Sequence, residues 1–321
     1  MNLLPLFDEE PNPPSALAAR LQRLAGRGVY VGTSSWKYPG WLGRIYTPER
    51  YFTRGRFSQK KFEAECLGEY AETFPIVCGD FSFYQFPSPE AWARLFHSAP
   101  KTLLYAFKVP EEITVPVWPV HARYGSRAGE ANPNFLNAAM FADLFLAPLE
   151  PYRAQVAALI FEFGTMSQAV YPSGEAFAAD LTRFLDALPK GWRYSVEIRN
   201  PEFLVPYYFD CLRKHGAAHV FNAWSRMPEL RTQIQIPNSH TADFTVTRAL
   251  LRQGRTYEQA VKAFSPYDEV RDIYAAGRTA LRSIVDRGLK ENQSTFMFVN
   301  NRFEGNAPAT IEAVVEEAPE T

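Results

Sequence analysis

A chain of 321 residues, 46% of them hydrophobic, holds enough apolar material for one large α/β domain or two smaller ones. Its 34 basic and 35 acidic residues leave a net charge of -1, so no global field draws it to nucleic acid or to an anionic membrane. Three scattered cysteines, Cys66, Cys78 and Cys211, without CxxC spacing argue against a disulfide framework or a cysteine-rich zinc site.

Residues 1–28 are expected to form a loose leader, Met1 to Pro14, and a short amphipathic helix over residues 16–26. The leader carries Asp8, Glu9, Glu10 and prolines instead of the basic start and apolar run of a signal peptide. Without an apolar stretch of membrane-span length, the chain is expected in the cytoplasm with reduced thiols. The first strand should begin near Val29. Residues 29–41 run from a β-rich segment into small hydroxyl residues and then Trp36, Tyr38 and Trp41 on a Pro-Gly turn, the pattern of a strand opening into a rigid loop. Helical spacing over 58–74 puts Phe62, Cys66, Leu67, Tyr70 and Phe74 on one face, and Pro75 ends it. A strand over 76–83 follows, then a helix opened by Ser88-Pro89-Glu90, then a strand over 103–108. Residues 109–133 are too polar for core and too long for an ordinary connection, which predicts a flap over the site.

The second half keeps the same alternation, which implies parallel strands. Helices over 135–150, 174–188 and 202–214 lead to strands over 156–163, 193–198 and 217–221. Residues 223–244 read as irregular, and 247–267 resist assignment between a strand over 244–248 and a helix over 268–287. An apolar strand over 294–300 and a helix over 307–317 close the series. Eight such steps predict a TIM-like (β/α)8 barrel with an irregular seventh unit, a single domain over 29–318, whose site lies where strands end and βα loops begin. An open doubly wound sheet is the alternative, but neither GxGxxG nor GxxxxGK[ST] follows the first strand.

So arranged, the chain resembles the YecE-like family, domain of unknown function 72. The resemblance rests on Gly32-Thr33-Ser34-Ser35-Trp36-Lys37-Tyr38-Pro39-Gly40-Trp41, on Phe83-Tyr84 with Pro87, on Phe107-Lys108, on Val196-Glu197-Ile198-Arg199, and on Val299-Asn300-Asn301 with Gly305-Asn306-Ala307-Pro308. It covers most of the chain from Val29 onward and implies a TIM-like barrel, without a reaction. The chain departs from the family pattern at Cys78 and Asp80, where relatives tend to carry Glu and Asn. It also lacks family histidines at Val115, at Asn200 and near Leu250, which marks it as a divergent member.

Candidate chemistry centres on strand five, where Ser195, Glu197 and Arg199 alternate with Tyr194, Val196 and Ile198. Helices cover the outside of a barrel strand, so the polar set should face the lumen. Glu162, flanked by Phe161 and Phe163, should project inward beside Glu197, and Lys108 should end strand three likewise, with Asp80 and Arg248 joining them. Two carboxylates in a dry mouth can split into acid and base, as cleavage of a glycosidic or ester-like bond requires. Lys108 and Arg199 would hold an anionic group or developing charge. The competing reading is a buried salt-bridge network that only fills the barrel. Trp36, Tyr38 and Trp41 would wall a pocket or pin their loop to the rim. Asn300 and Asn301 would bind ligand or satisfy loop and helix backbone, and Tyr84 is similarly open.

No metal or cofactor is expected. None of His97, His121, His215, His219 and His240 lies at a predicted strand end, His215 and His219 share no helical face, and a Mg²⁺ site on Glu162, Glu197 and Asp80 would compete with two cations. Cys78 reads as apolar filler. These residues support a metal-independent hydrolase or lyase acting on a small polar, anionic or sugar-like substrate through Glu162 and Glu197. A non-catalytic barrel that binds a ligand or docks a partner is the alternative; a metal-dependent nuclease-like barrel follows from fold analogy alone.

Overall fold

The computed structural model describes residues 15–316, so the expected leader at 1–14 and the last residue of the expected final helix lie outside the described residues. Ser15 accepts a hydrogen bond from the Ala18 amide and starts helix Ala16–Gly26, which turns its Leu17, Leu21 and Leu24 inward. Besides a short antiparallel pair, Phe52–Thr53 with Arg56–Phe57, eight barrel strands follow: β1 Val29–Thr33, β2 Ile76–Gly79, β3 Leu104–Lys108, β4 Val156–Phe163, β5 Tyr194–Ile198, β6 Ala218–Ala223, β7 Phe244–Ala249 and β8 Ser294–Val299. Each pairs in parallel with the next, and β8 returns to β1, closing a TIM-like (β/α)8 barrel.

Several elements differ from the sequence reading. β2 stops at Gly79, because Asp80 leads into a 3-10 turn over Phe81–Phe83, so Phe83 and Tyr84 lie beyond the strand. The helix expected from 135 begins at Ala138, capped by the Asn137 side chain, and passes through a π-helical turn, Ala142–Leu146. The irregular stretch after β6 contains helix Leu230–Gln235. In the seventh unit the unassigned stretch forms helix Tyr257–Phe264, opened by a capping box between Thr256 and Gln259, before the long helix Ala275–Glu291.

Period-two alternation sorts each strand into two faces. Outward residues such as Leu159, Phe161, Phe163, Val196 and Ile198 join the large cluster beneath the helices. Inward residues form a second cluster filling the lumen, with Ile76, Cys78, Ala106, Ala158, Ile160, Val220, Val246 and Phe298 among them. One step further along the same strands the lumen becomes polar, with Asp80, Lys108, Glu162, Arg199, Asn222, Arg248 and Asn300. The barrel is therefore packed below and polar at its C-terminal mouth.

Between β1 and β2 the ladder is short, with Thr33 paired to Val77. A side chain supplements it: the Tyr70 hydroxyl accepts from the Thr33 amide at 3.0 Å and donates to the Ile76 carbonyl at 2.9 Å. Gly32 is required here, since a Cβ at that position would lie 1.9 Å from the Ile76 carbonyl oxygen.

Residues 109–133 fold back on themselves through a Val117–Ala131 bridge and the Asn132 amide, which donates to the carbonyls of Glu112 and Val115. The segment packs beside the β2 and β3 ends, around a cavity of about 210 Å³ shared with Tyr84, Phe86 and Met140. Among the described residues none of its ion pairs reaches the charged side chains of the mouth. The expected flap is thus seen as a buttress of one rim.

Candidate functional site at the barrel mouth

Strand register brings the two glutamates together, because Glu162 of β4 lies directly beside Glu197 of β5. Arg248 reaches them from β7, its Nη1 lying 2.5 Å from Glu162 Oε2 and 2.5 Å from Glu197 Oε2. Its Nη2 is 3.3 Å from Asp80 Oδ1. Arg199 Nη2 lies 2.5 Å from Glu197 Oε1 and 3.2 Å from Glu162 Oε2, and Lys108 Nζ lies 3.1 Å from the same Glu162 oxygen. Three cations therefore face three carboxylates in one connected network. Glu197 is fully buried, whereas the Glu162 and Asp80 side chains are 15% and 37% exposed and meet solvent at the mouth.

Burial alone would raise the Glu162 carboxyl, but Lys108, Arg199 and Arg248 outweigh it and hold the group well below the usual carboxylate range. A Glu162 so fixed in its ionised form does not serve as a proton donor near neutral pH. The same cations make the mouth a repulsive place for a divalent ion on Asp80, Glu162 and Glu197. Cys78, one step deeper on β2, has its thiol pushed up to about 12, first by burial, and behaves as lumen filler.

Two aromatic rings complete the charged layer: Lys108 Nζ sits 3.7 Å from the Phe83 ring centroid, and the Arg199 guanidinium lies 3.9 Å over Trp224. Trp224 was not among the sequence candidates, although it follows β6 by one residue, the same strand-end placement that singled out Trp36. Arg199 retains Nε and Nη1 buried and without a hydrogen-bond partner, and Arg248 Nε, Asn222 Oδ1 and Ser34 Oγ are in the same condition.

The remaining candidates divide. Trp41 is fully buried, its indole N–H donating to Asn301 Oδ1 at 3.1 Å, and that oxygen also accepts from the Ala307 amide. Asn300 accepts from the Arg302 amide at 3.0 Å. Trp41, Asn300 and Asn301 thus tie the first loop, the last loop and the final helix together, the structural alternative named for each. Trp36 is buried with its indole nitrogen unpartnered and Lys37 over its ring. Tyr38 is partly exposed, packing on Trp41 and edge-on to Tyr267. Tyr84 stands apart, 57% exposed, with the Arg123 guanidinium over its ring at the buttressed rim. His219 lies away from the mouth: it faces outward from β6 with Nδ1 3.0 Å from the Tyr208 hydroxyl, and burial lowers it to about 3.

A family model described as "Protein of unknown function DUF72" matches residues 30–321. The UPF0759 protein YecE of Escherichia coli strain K12 is 25% identical over 175 residues, 54% of this chain and 50% of that protein, and its counterpart in strain O157:H7 matches to the same extent. The chain thus aligns with about half the length of these curated relatives. Among solved structures, a DUF72 family protein of Thermotoga maritima MSB8 superposes with a TM-score of 0.57 at 18% identity, covering 90% of this chain and 98% of that one. One from Enterococcus faecalis V583 gives 0.56 at 14% identity, with 91% and 97% coverage. At such identities the likeness speaks for the fold.

Proposed function

This chain belongs to the DUF72 family, whose shared description assigns no function, and from that premise we propose that its barrel mouth binds a small, polar, hydroxyl-rich ligand. The observation that carries the reading is Arg199. Its guanidinium is fixed by Glu162, Glu197 and the Trp224 ring, yet Nε and Nη1 are left buried without acceptors. Buried donors without partners cost roughly 1–3 kcal/mol each, so a fixed guanidinium with two of them is suited to a ligand's oxygens. Asn222 Oδ1 and Ser34 Oγ, in the same polar layer, supply acceptors for ligand hydroxyl protons. Because the three cations and three carboxylates cancel, the layer favours groups that both donate and accept over a bare charge. Placement of the protein in the cytoplasm, with its three free and buried cysteines, is part of this proposal.

The hydrolase or lyase reading draws less support, since the cations that hold Glu162 ionised also take up its carboxylate oxygens, leaving it poorly placed to act on a substrate. Repulsion from the same cations removes support from the nuclease-like reading. A metabolite mixture incubated with the protein and resolved by mass spectrometry tests the proposal. Retention of a polyhydroxylated compound by the wild type and its loss in a folded Arg199→Gln variant is the expected result. Conversion of a compound by the wild type, abolished in Glu197→Gln without unfolding, would replace this reading by catalysis.

A further inference from the structure

Arg302, in the loop after β8, differs from the cations of the mouth. Its guanidinium lies 4.6 Å over the Tyr257 ring, and its charge draws down the Tyr267 phenol, which burial raises. Among the described residues no carboxylate lies within ion-pair distance of it, and its Nε is buried without a partner. Tyr38, edge-on to Tyr267, stands between this cation and the mouth: burial raises its phenol, Arg302 draws it down, and Asp80 acts in the opposite sense. Asp80 is in turn the most exposed carboxylate of the central network. A half-buried, uncompensated cation held by tyrosines thus borders a charge-balanced polar mouth. An arginine fork in that condition is suited to an oxyanion. The loops after the seventh and eighth strands, which supply Tyr257, Tyr267 and Arg302, are where TIM barrels frequently bind phosphate. The usual helix-terminal contribution is taken up here, because Asn301 and Asn306 accept from the first amides of helix Ala307–Val315, so a side-chain cation must carry the charge.

We infer that Arg302 docks a phosphate group carried by the ligand of the mouth, making that ligand a phosphorylated polyol; the polyol half rests on the reading proposed above. The test titrates inorganic phosphate, and separately glycerol phosphate, into the full chain at constant ionic strength, followed by phosphorus NMR line width and calorimetry. Saturable phosphate binding is expected, weakened about tenfold or more in Arg302→Gln and partly retained in Arg302→Lys, which keeps the charge and loses the fork. Absence of saturation, equal binding by folded Arg302→Gln, or tighter binding of acetate than of phosphate would overturn the phosphate site. Glycerol phosphate should bind more tightly than phosphate, with the difference abolished in Arg199→Gln. If it binds no tighter while the Arg302 dependence stands, the mouth reading fails and the anion site survives.

Discussion

The behaviour of single residues in the mouth follows from how many partners each has. Glu162 receives three cations, so its folded-state carboxyl lies below its unfolded value. Such a group contributes stability that is present above the unfolded carboxylate pKa, about 4.3, and lost as pH falls toward the folded one. Glu162→Gln should therefore destabilise by about 3 to 5 kcal/mol at neutral pH, the cost of breaking a buried pair. The gap to wild type should hold steady in urea melts from about pH 7 to about pH 5 and narrow as pH falls below about 4. A gap that stays constant or widens on that further acidification would show that Glu162 is not held ionised by its partners. The inward placement of Glu162, Glu197, Lys108 and Arg199 was legible in the sequence, because alternation fixes which face a side chain takes. The role of Arg248 as the link between both glutamates and Asp80 was not, since those contacts cross the lumen between strands far apart in the chain.

At the scale of elements, the βα loops hold their shape through close backbone contact. The Pro39-Gly40 turn of the first loop packs against the Pro266-Tyr267 segment of the seventh, where a Cβ on Gly40 would lie 2.3 Å from the Pro266 carbonyl oxygen. Gly40→Ala should push these loops apart, separating Tyr38 from Tyr267 and weakening phosphate binding, with an overpacking cost of about 1–3 kcal/mol. Unchanged phosphate affinity and thermal midpoint in that variant would refute the contact. Elements with clear start signals were readable: Ser15, Ser58 and Ser88 each cap the helix expected after them. Two other elements are masked for local reasons. Residues 76–83 look strand-like throughout because Phe81 and Phe83 continue the alternation, but Asp80 turns the chain. Helix Tyr257–Phe264 is hard to read although Thr256 and Gln259 have capping-box spacing, since eight residues carry little periodicity.

For the molecule as a whole, the eight-step beat was enough to foresee closure, because parallel strands with regular crossovers have few other ways to bury both faces. Closure, however, does not make every join equal. Where β1 meets β2, the Tyr70 hydroxyl bonds to both strands beside a single ladder pair. With one ladder pair, that join is where the barrel is expected to open first. The Trp36 and Tyr38 loop leaves one of its strands and Asp80 leaves the other, so a transient parting there widens the mouth directly between them. Removing the stitch in Tyr70→Phe should speed hydrogen exchange at the Thr33 amide ahead of amides in β4 and β5, and ligand should enter and leave faster with little change in affinity. Exchange that rises uniformly around the barrel would mean that it opens as a whole. If exchange rises first at Thr33, a hydroxyl buried behind the barrel wall acts as the latch on the mouth, timing access without touching what passes through.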